Sequence, residues 1–326
     1  MAMIRLKIPL YPAIILVIMS CSGCDDAEVE RDFSIADLTI DNYPKVDGST
    51  SAEPLQVLIA CKLLGVEYSW VYLPYWFNWF SYPYHIMPSC DEKPETGRFI
   101  TERILHSGTH GSYVNLIYNN VDLIIVARTA SEDELHIADS LGISLMEAPI
   151  ALDAFVFLVN VNNPVHSLTT REIQDIYTGS ITRWNEVGGT GTEISPYQRD
   201  RNSGSQELME KLVMTGLKML DLPDMIAIGM MGMINRIEYD SEGLGYSVNY
   251  YTQYMVRSDS VKLLSVDGVY PDHKSIKERK YGYTTEVYAV IRTDLETSSV
   301  AYQLFELLSK PSGQGVIDES GYIPYY

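Results

Sequence analysis

The chain has 326 residues and a formal net charge of −19, with 24 Lys and Arg against 43 Asp and Glu. This length exceeds what one hydrophobic core usually serves, so the sequence predicts two domains. With 46% hydrophobic and 21% charged residues, a largely disordered chain is excluded. The acidic excess argues against nucleic acid as a partner. A polytopic membrane protein is excluded because no long apolar span follows the first 25 residues.

The first residues predict export. Arg5 and Lys7 precede an apolar run over residues 8–19, and the small residues SCSGC follow at 20–24. A basic start, a short apolar run and small residues at a cleavage point describe a secretory signal. The run is too short to be a comfortable membrane span.

The residues before Cys24 resemble a bacterial lipobox. We therefore expect residues 1–23 to be a lipoprotein signal peptide and Cys24 to carry the lipid. Residues 24–38 would be an acidic tether, and the protein would be anchored on the outer face of the cell membrane or in the periplasm. The alternatives are Cys21 as acceptor, an uncleaved anchor helix or an ordinary signal peptide.

From about residue 40 the hydrophobic pattern alternates between strand and helix. Short β-branched or aromatic runs predict strands over residues 121–127, 154–160 and 286–291. Apolar residues at helical spacing predict helices over residues 54–64, 170–177, 206–214 and 300–309. Alternation of this kind predicts α/β domains.

Two further features leave alternatives open. The sequence WVYLPYWFNWFSYPYH at 70–85 is either a sticky surface for a partner or membrane interface, or a loop that packs its own rings. Cys61 and Cys90 either pair in the exported protein, or stand apart as a buried helical residue and a loop residue.

Three segments rich in Gly, Ser and Thr lead directly into helices: DGSTS at 47–51, SGTHGS at 107–112 and RDRNSGSQ at 199–206. A helix start offers unpaired backbone N–H groups and the positive end of the dipole. Hydroxyls add neutral donors, and Gly allows close approach. Two or three such starts converging would hold an oxyanion, with Arg199 as a charged, two-pronged contact.

Each helix start also has a purely stabilising interpretation. Thr50 with Glu53, and Ser203 with Gln206, have the spacing of a capping box. Such caps stabilise most helices by about 1 kcal/mol without any ligand. The third segment is the most specific of the three because it also carries Arg199.

At this point the sequence resembles the phosphate-type substrate-binding lipoproteins of bacterial ABC transporters. Each matching motif is weak alone, but they occur in the family's order from about residue 40 to the C-terminus. The motifs are DGSTS at 47–51, DAFVFLVN at 153–160 with Asn163-Pro164, IQDIYTG at 173–179, ITRWNEVGG at 181–189, Arg199 with SGS at 203–205, GLGYS at 243–247 and SGYIP at 320–324.

The resemblance implies a two-lobed, type II Venus-flytrap α/β fold with an anion between the lobes. Two strands would cross between the lobes near residues 150–153 and 283–288. Lobe 1 would then comprise residues 39–151 plus 287–326, and lobe 2 residues 152–286.

The resemblance also implies the site and the function. The anion-binding residues would be Thr50 and Ser51, then Thr109 and Ser112, then Arg199, Ser203, Gly204 and Ser205. The protein would capture an inorganic oxyanion, foremost phosphate, and deliver it as a monomer to an ABC permease. It would have no catalytic residue, metal or cofactor, since the sequence offers no nucleophile–base pair or metal cluster.

One departure from the family affects selectivity. Well-studied members place an Asp after the strand that matches residues 121–126, and this carboxylate accepts the proton of monohydrogen phosphate. Here Ala127-Arg128-Thr129-Ala130-Ser131 follows. Asp153 could supply a carboxylate, and Arg128 could be a second positive contact or pair with Glu132 or Asp133. Sulfate, or a sensor or surface-interaction role for the same fold, therefore stays open as an alternative.

Overall fold

The computed structural model describes residues 33–73, 82–89 and 91–326. The expected signal peptide, both candidate lipidation residues (Cys21 and Cys24) and most of the tether lie outside the described residues. Cys90 does too, so the two alternatives for Cys61 and Cys90 are not decided; Cys61 itself is buried in the first helix. No helix within the described ranges is long and apolar enough to span a bilayer.

The helices confirm the predicted pattern, and the prediction over 170–177 matches to the residue. They are α1 (Glu53–Leu64), α2 (Pro94–Arg103), α3 (Gly108–Ile117), α4 (Glu132–Ser140), α5 (Thr170–Tyr177), α6 (Gly204–Leu208), α7 (Gly229–Tyr239), α8 (His273–Lys277), α9 (Val300–Leu308) and α10 (Pro311–Glu319). Short 3-10 segments cover Thr50–Ala52, Trp184–Val187 and Pro223–Met225, and π-helical segments cover Met209–Val213 and Tyr251–Val256.

The predicted strands are confirmed as parts of a larger set. The strands are β1 (Val46–Gly48), β2 (Tyr68–Tyr72), β3 (Tyr84–Pro88), β4 (Leu123–Val126), β5 (Leu145–Asn160), β6 (Ser167–Leu168), β7 (Ser195–Pro196), β8 (Gln198–Arg199), β9 (Ile226–Ala227), β10 (Gly243–Val248), β11 (Val261–Leu263), β12 (Ser265–Val266), β13 (Thr284–Arg292) and β14 (Ile323–Pro324).

One mixed sheet organises the fold, in the order β1-β4-β13-β5-β10-β7, with β11 and β14 also paired to β5. β5 is 16 residues long, and every residue from Ile150 to Asn160 is buried. A strand that is covered on both faces carries a nearly continuous run of apolar residues. Such a run at residues 154–160 is what predicted the second part of β5 from the sequence. β5 pairs with β13 through its first ten residues and with β10 and β11 through its last six.

The register of β5 against β13 contains one irregularity. Val287 pairs with Ala151, but the next residue, Tyr288, pairs with Pro149. Pro149 has no N–H to give to a ladder, so an extra residue at this point relieves the pairing. The bulge lies beside the residues where the family resemblance implies a crossing between lobes.

Several of the described tyrosines are core residues whose hydroxyls donate to backbone carbonyls. Tyr177 donates to Tyr197 O at 3.1 Å, and Tyr281 donates to Phe155 O at 3.1 Å. Such rings supply large buried area while meeting an acceptor that would otherwise go unpaired.

The ends of the aromatic stretch form the hairpin β2–β3. Tyr82 is 1% exposed, whereas Tyr72 is 54% exposed. The Arg257 guanidinium lies over the Tyr84 ring, 4.4 Å from its centroid. Residues 74–81 lie outside the described residues, so neither interpretation of the whole stretch is decided.

Candidate anion-binding site

A cavity of about 380 Å³ lies where the three Gly, Ser and Thr segments begin their helices. Its wall contains residues of all three segments, although they are far apart in sequence. The predicted residues that line it are Thr50, Ser51, Thr109, Arg199, Ser203, Gly204 and Ser205.

The first segment is delivered to the cavity by close contact of β1 with β4. Gly48 pairs with Ile125, and a side chain on Gly48 would lie 2.3 Å from the Ile125 carbonyl oxygen. Only glycine fits there. The Ser49 N–H then donates to that same carbonyl at 3.0 Å, and the chain turns into Thr50–Ala52.

The expected capping box between Thr50 and Glu53 is wrong. Ser49, not Thr50, precedes the 3-10 turn, and no side chain caps it. The extra turn shifts the start of α1 to Glu53, with Pro54 in the first turn, where its missing N–H costs little. The first-turn N–H groups of this segment therefore have no capping side chain.

The second segment is held against the first by the buried carboxylate of Asp47. It accepts from the Ser107 N–H at 2.8 Å and from the Asn115 side chain at 2.8 Å. Gly108 has a φ of 79°, which favours glycine, and α3 starts there. Thr109 is thereby placed in the cavity wall. Sequence reasoning saw Asp47 only as part of a motif.

The third segment contributes both a helix start and a charge. The Ser203 hydroxyl accepts from the Gln206 N–H at 3.2 Å, as predicted for a cap. The reciprocal bond is absent because Gln206 Oε1 accepts instead from the Arg199 N–H at 3.2 Å and from the Tyr246 hydroxyl. This buried network fixes Arg199 relative to the start of α6.

Arg199 is 7% exposed, and it is the one Arg or Lys among the described residues that line the cavity. Its Nε donates to Ala227 O at 3.1 Å, and its Nη2 lies 3.6 Å from Asp200 Oδ2. Burial lowers the pKa of the guanidinium, partly offset by Asp200. The Arg199 guanidinium is thus a buried positive charge that the Ala227 carbonyl holds in place, so it is preorganised to bind an anion.

Three other candidates lie elsewhere. Ser112 is buried in α3, and its hydroxyl donates to Gly108 O at 2.8 Å. Arg128 is held in a two-pronged ion pair with Glu134 at 2.8 and 2.9 Å, not with Glu132 or Asp133. Asp153 lines a different cavity. Ser112, Arg128 and Asp153 therefore do not line the cavity whose wall holds the other seven predicted residues.

Arg128 pairs with Glu134 for a local reason. Glu134 is the third residue of α4, and it forms the reciprocal cap with Ser131 at that helix start. Its carboxylate therefore turns back toward the loop that carries Arg128. The structure also adds residues that sequence reasoning missed, of which Asp200 is the one carboxylate among the described residues lining the cavity. The sequence feature that could have indicated Asp200 is its position directly after Arg199.

A family model described as the PBP superfamily domain matches residues 101–313. The chain belongs to this superfamily. Among curated relatives, the phosphate-binding protein PstS of Borreliella burgdorferi is 24% identical over 217 residues, which cover 64% of this chain and 75% of the relative. PstS of Bacillus subtilis is 25% identical over 182 residues, covering 56% of this chain and 58% of the relative. The resemblance drawn from the motifs is thereby confirmed.

Solved structures show the same fold. A phosphate ABC transporter substrate-binding protein with bound phosphate from Clostridium perfringens superposes with a TM-score of 0.62 at 22% identity, covering 86% of this chain and 98% of that chain. An ABC-type phosphate transport receptor from Vibrio cholerae superposes with a TM-score of 0.58 at 19% identity, covering 85% and 98%. The predicted fold class, an α/β two-lobed periplasmic-binding-protein fold, is confirmed. The lobe boundaries stay a prediction.

Proposed function

We propose that the cavity binds inorganic phosphate, and that the chain is the extracytoplasmic solute-binding protein of an ABC transporter. The observation that carries the proposal is the convergence of Thr50, Thr109 and Arg199 on one cavity. The names of the curated relatives support phosphate as the ligand. The anion-binding residues are Thr50, Ser51, Thr109, Arg199, Ser203, Gly204 and Ser205.

A chain with a net charge of −19 needs local donors to bind an anion. Here the donors are the first N–H groups of helices, serine and threonine hydroxyls, and one guanidinium. All are short-range and fixed by the fold, whereas the repulsive surface charges are screened over about 8–10 Å at ordinary salt. The local field therefore decides the interaction with one small anion, and the global charge still disfavours polyanions.

Asp200 supplies a reason to favour phosphate over sulfate. Monohydrogen phosphate carries one proton that it can donate, and fully ionised sulfate carries none. A carboxylate in the cavity wall accepts a hydrogen bond from the former and repels the latter. Asp200 would thus take the role that an Asp after residues 121–126 plays in the family that this sequence resembles.

The two-lobed fold supports delivery to a permease as part of this proposal. We propose residues 39–151 plus 287–326 as one lobe and 152–286 as the other, with β5 and β13 as the crossing strands. Closure of the lobes around phosphate would be the signal that the permease reads. The protein would act as a lipid-anchored monomer outside the cell membrane, without catalysis of its own.

Isothermal titration of the chain tests this proposal with phosphate, sulfate and molybdate at neutral pH. We expect saturable heat with phosphate and a much weaker response with sulfate. Absence of heat with phosphate at millimolar concentration would reject the transport proposal. Equal affinity for sulfate would leave an oxyanion receptor but reject the role assigned to Asp200.

A further inference from the structure

His110 lines the proposed phosphate site but is not one of the seven anion-binding residues named above. It directly follows Thr109 near the start of α3, and it belongs to the wall of the same cavity of about 380 Å³. Its imidazole is 34% exposed, so a ligand in the cavity can reach the ring.

One nitrogen of the His110 ring is held by the buried carboxylate of Glu134. His110 Nδ1 lies 3.0 Å from Glu134 Oε1. The other acceptor positions of this carboxylate are filled by both Nη atoms of Arg128 and by the Ser131 N–H, at 2.8–2.9 Å. A proton on Glu134 would leave the buried Arg128 charge without its balance. Glu134 is therefore ionised, and His110 Nδ1 carries the proton of this contact.

The other nitrogen of the ring is open. His110 Nε2 has no hydrogen-bond partner among the described residues, and it is not one of their sealed polar atoms. Because Nδ1 keeps its proton in both charge states, Nε2 of the neutral ring presents a lone pair, and only the charged ring presents an N–H there. Glu134 thus fixes which nitrogen gains and loses a proton.

Charged side chains on the elements packed against α3 are held by other partners. Asp47 on β1 accepts from the Ser107 N–H and the Asn115 side chain. On β13, Glu286 pairs with Arg279 and Arg292 with Asp294. Glu207 on α6 interacts with the Arg128–Glu134 pair, and Arg199 and Asp200 of the cavity wall lie together. The ring itself contacts one charged group among the described residues, Glu134, whose charge Arg128 balances.

A neutral His110 does not suit the ligand of the proposed site. Monohydrogen phosphate has one proton, and Asp200 accepts it in the proposal above. The Nε2 lone pair of a neutral ring would then face a lone pair of a phosphate oxygen, and the two would repel. One additional proton between these atoms replaces the repulsion with a charge-assisted hydrogen bond.

We propose that His110 Nε2 binds the phosphate through a proton that is taken up from the solvent on binding. Neutral His110, monohydrogen phosphate and one proton released by the buffer give a complex with an Nε2–H···O hydrogen bond, and no bond to phosphorus forms or breaks. Glu134 is the positioning residue that holds the ring in the required tautomer. The inference rests on the proposed function, because it assigns a further contact within the same site.

Titration calorimetry of the full chain with inorganic phosphate at about pH 8, in Tris and in HEPES, measures this proton because the two buffers release protons with different heats. Phosphate is mainly monohydrogen phosphate at this pH, and histidine is mainly neutral. We expect the native chain to take up close to one proton per phosphate. His110→Asn keeps a donor for Glu134 at the position of Nδ1 and has no group at that of Nε2, so its uptake should fall close to zero. His136→Gln, which removes an exposed imidazole from α4, should match the native chain.

The pH dependence of the affinity is a second readout. Uptake of one proton makes phosphate binding by the native chain weaker by up to about tenfold between about pH 8 and pH 9, whereas His110→Asn should change by less than about twofold. His110→Gln, which cannot titrate either, repeats both comparisons if His110→Asn fails to fold.

The outcomes separate this inference from the proposed function. Phosphate binding by the native chain without proton uptake overturns the inference and leaves the proposed function intact, as does equal uptake in the native chain and the His110 variants. Absence of heat with phosphate in the native chain overturns both.

Discussion

Gly204 and Thr109 lie so close together in the cavity wall that any side chain on Gly204 would clash with Thr109. A methyl group on Gly204 would lie 2.6 Å from Thr109 Oγ1 and 3.2 Å from Thr109 Cβ. The two residues begin different helices, α6 and α3, and they belong to different lobes in the proposed division. The glycine therefore permits two anion-binding helix starts to close on one ligand.

Gly204→Ala should weaken phosphate binding about tenfold or more, because the added methyl holds the two helix starts apart. Helix α6 itself gains rather than loses from alanine, so the unfolding temperature should not fall much. Gly191→Ala is the matched control, since a side chain at Gly191 meets no atom within 4 Å. Titration calorimetry with phosphate measures both; unchanged affinity in Gly204→Ala would show that the two helix starts need not close.

Arg199→Ala should weaken phosphate binding by about 1.5–3 kcal/mol, the scale of a hydrogen bond to a charged group. Arg199→Lys should recover part of this, because the charge is kept but the planar fork is lost. Arg171→Ala removes an exposed arginine that pairs with Asp175 at 2.9 Å, and it should leave the affinity unchanged. The phosphate dissociation constants of the three variants decide whether Arg199 belongs to the site.

Asp200→Asn should reduce the preference for phosphate over sulfate by about tenfold or more, roughly 1.4 kcal/mol. Sulfate affinity should rise, because the amide no longer repels an anion that has no proton to donate. Competition titrations of the two anions measure the ratio. The exposed Asp224→Asn serves as control. A ratio that does not change would mean that another group sets the selectivity.

Glu134→Gln should lower the free energy of unfolding by about 3–5 kcal/mol, because it leaves the buried Arg128 charge without its partner. Glu134 is 0% exposed and accepts from Arg128, from the Ser131 N–H and from His110. Glu132→Gln, on the exposed face of α4, should stay within about 0.5 kcal/mol. Urea denaturation measures both, and equal stability of the two variants would contradict a structural role for this pair.

Asp153 should make the protein less stable as the pH rises from about 4 to about 7. Burial raises the pKa of its carboxyl from 3.8 to about 7, so the folded state keeps a proton that the unfolded state releases. Asp153→Asn stays neutral, so it should match the native chain near pH 4 and exceed its stability by up to about 4 kcal/mol near pH 8.

Urea denaturation at both pH values measures this difference. Asp133→Asn should show no such gain between the two pH values. If Asp153→Asn were equally stable relative to the native chain at pH 4 and pH 8, the carboxyl would not be neutral in the folded state.

Local signals predicted much of the fold. Helix α5 was predicted to the residue from apolar residues at helical spacing, and the structure shows that a reciprocal cap between Thr169 and Glu172 fixes its start. β5 was predicted only from residue 154, although it begins at Leu145. Its first half lacks an apolar run and contains Pro149, and it becomes a strand through its long-range pairing with β13.

The candidate site was predictable where a helix start carried the signal. Thr50, Thr109 and Ser203 each follow from a local Gly, Ser or Thr pattern, and all three line the cavity. The direction in which a side chain faces was not predictable, because it depends on packing between distant segments. Asp153 was considered as a possible carboxylate near the anion, but its Oδ1 accepts from the Tyr250 N–H and the residue lines another cavity.

A crystal structure of the chain with phosphate tests the central claim most directly. We expect the anion in the 380 Å³ cavity, with the Thr109 hydroxyl and the Arg199 guanidinium within about 3.2 Å of its oxygens. The first N–H groups of the Thr50–Ala52 turn and of α6 should point at it. Phosphate bound elsewhere, or an Arg199 guanidinium engaged only with Asp200 and Ala227, would contradict the account.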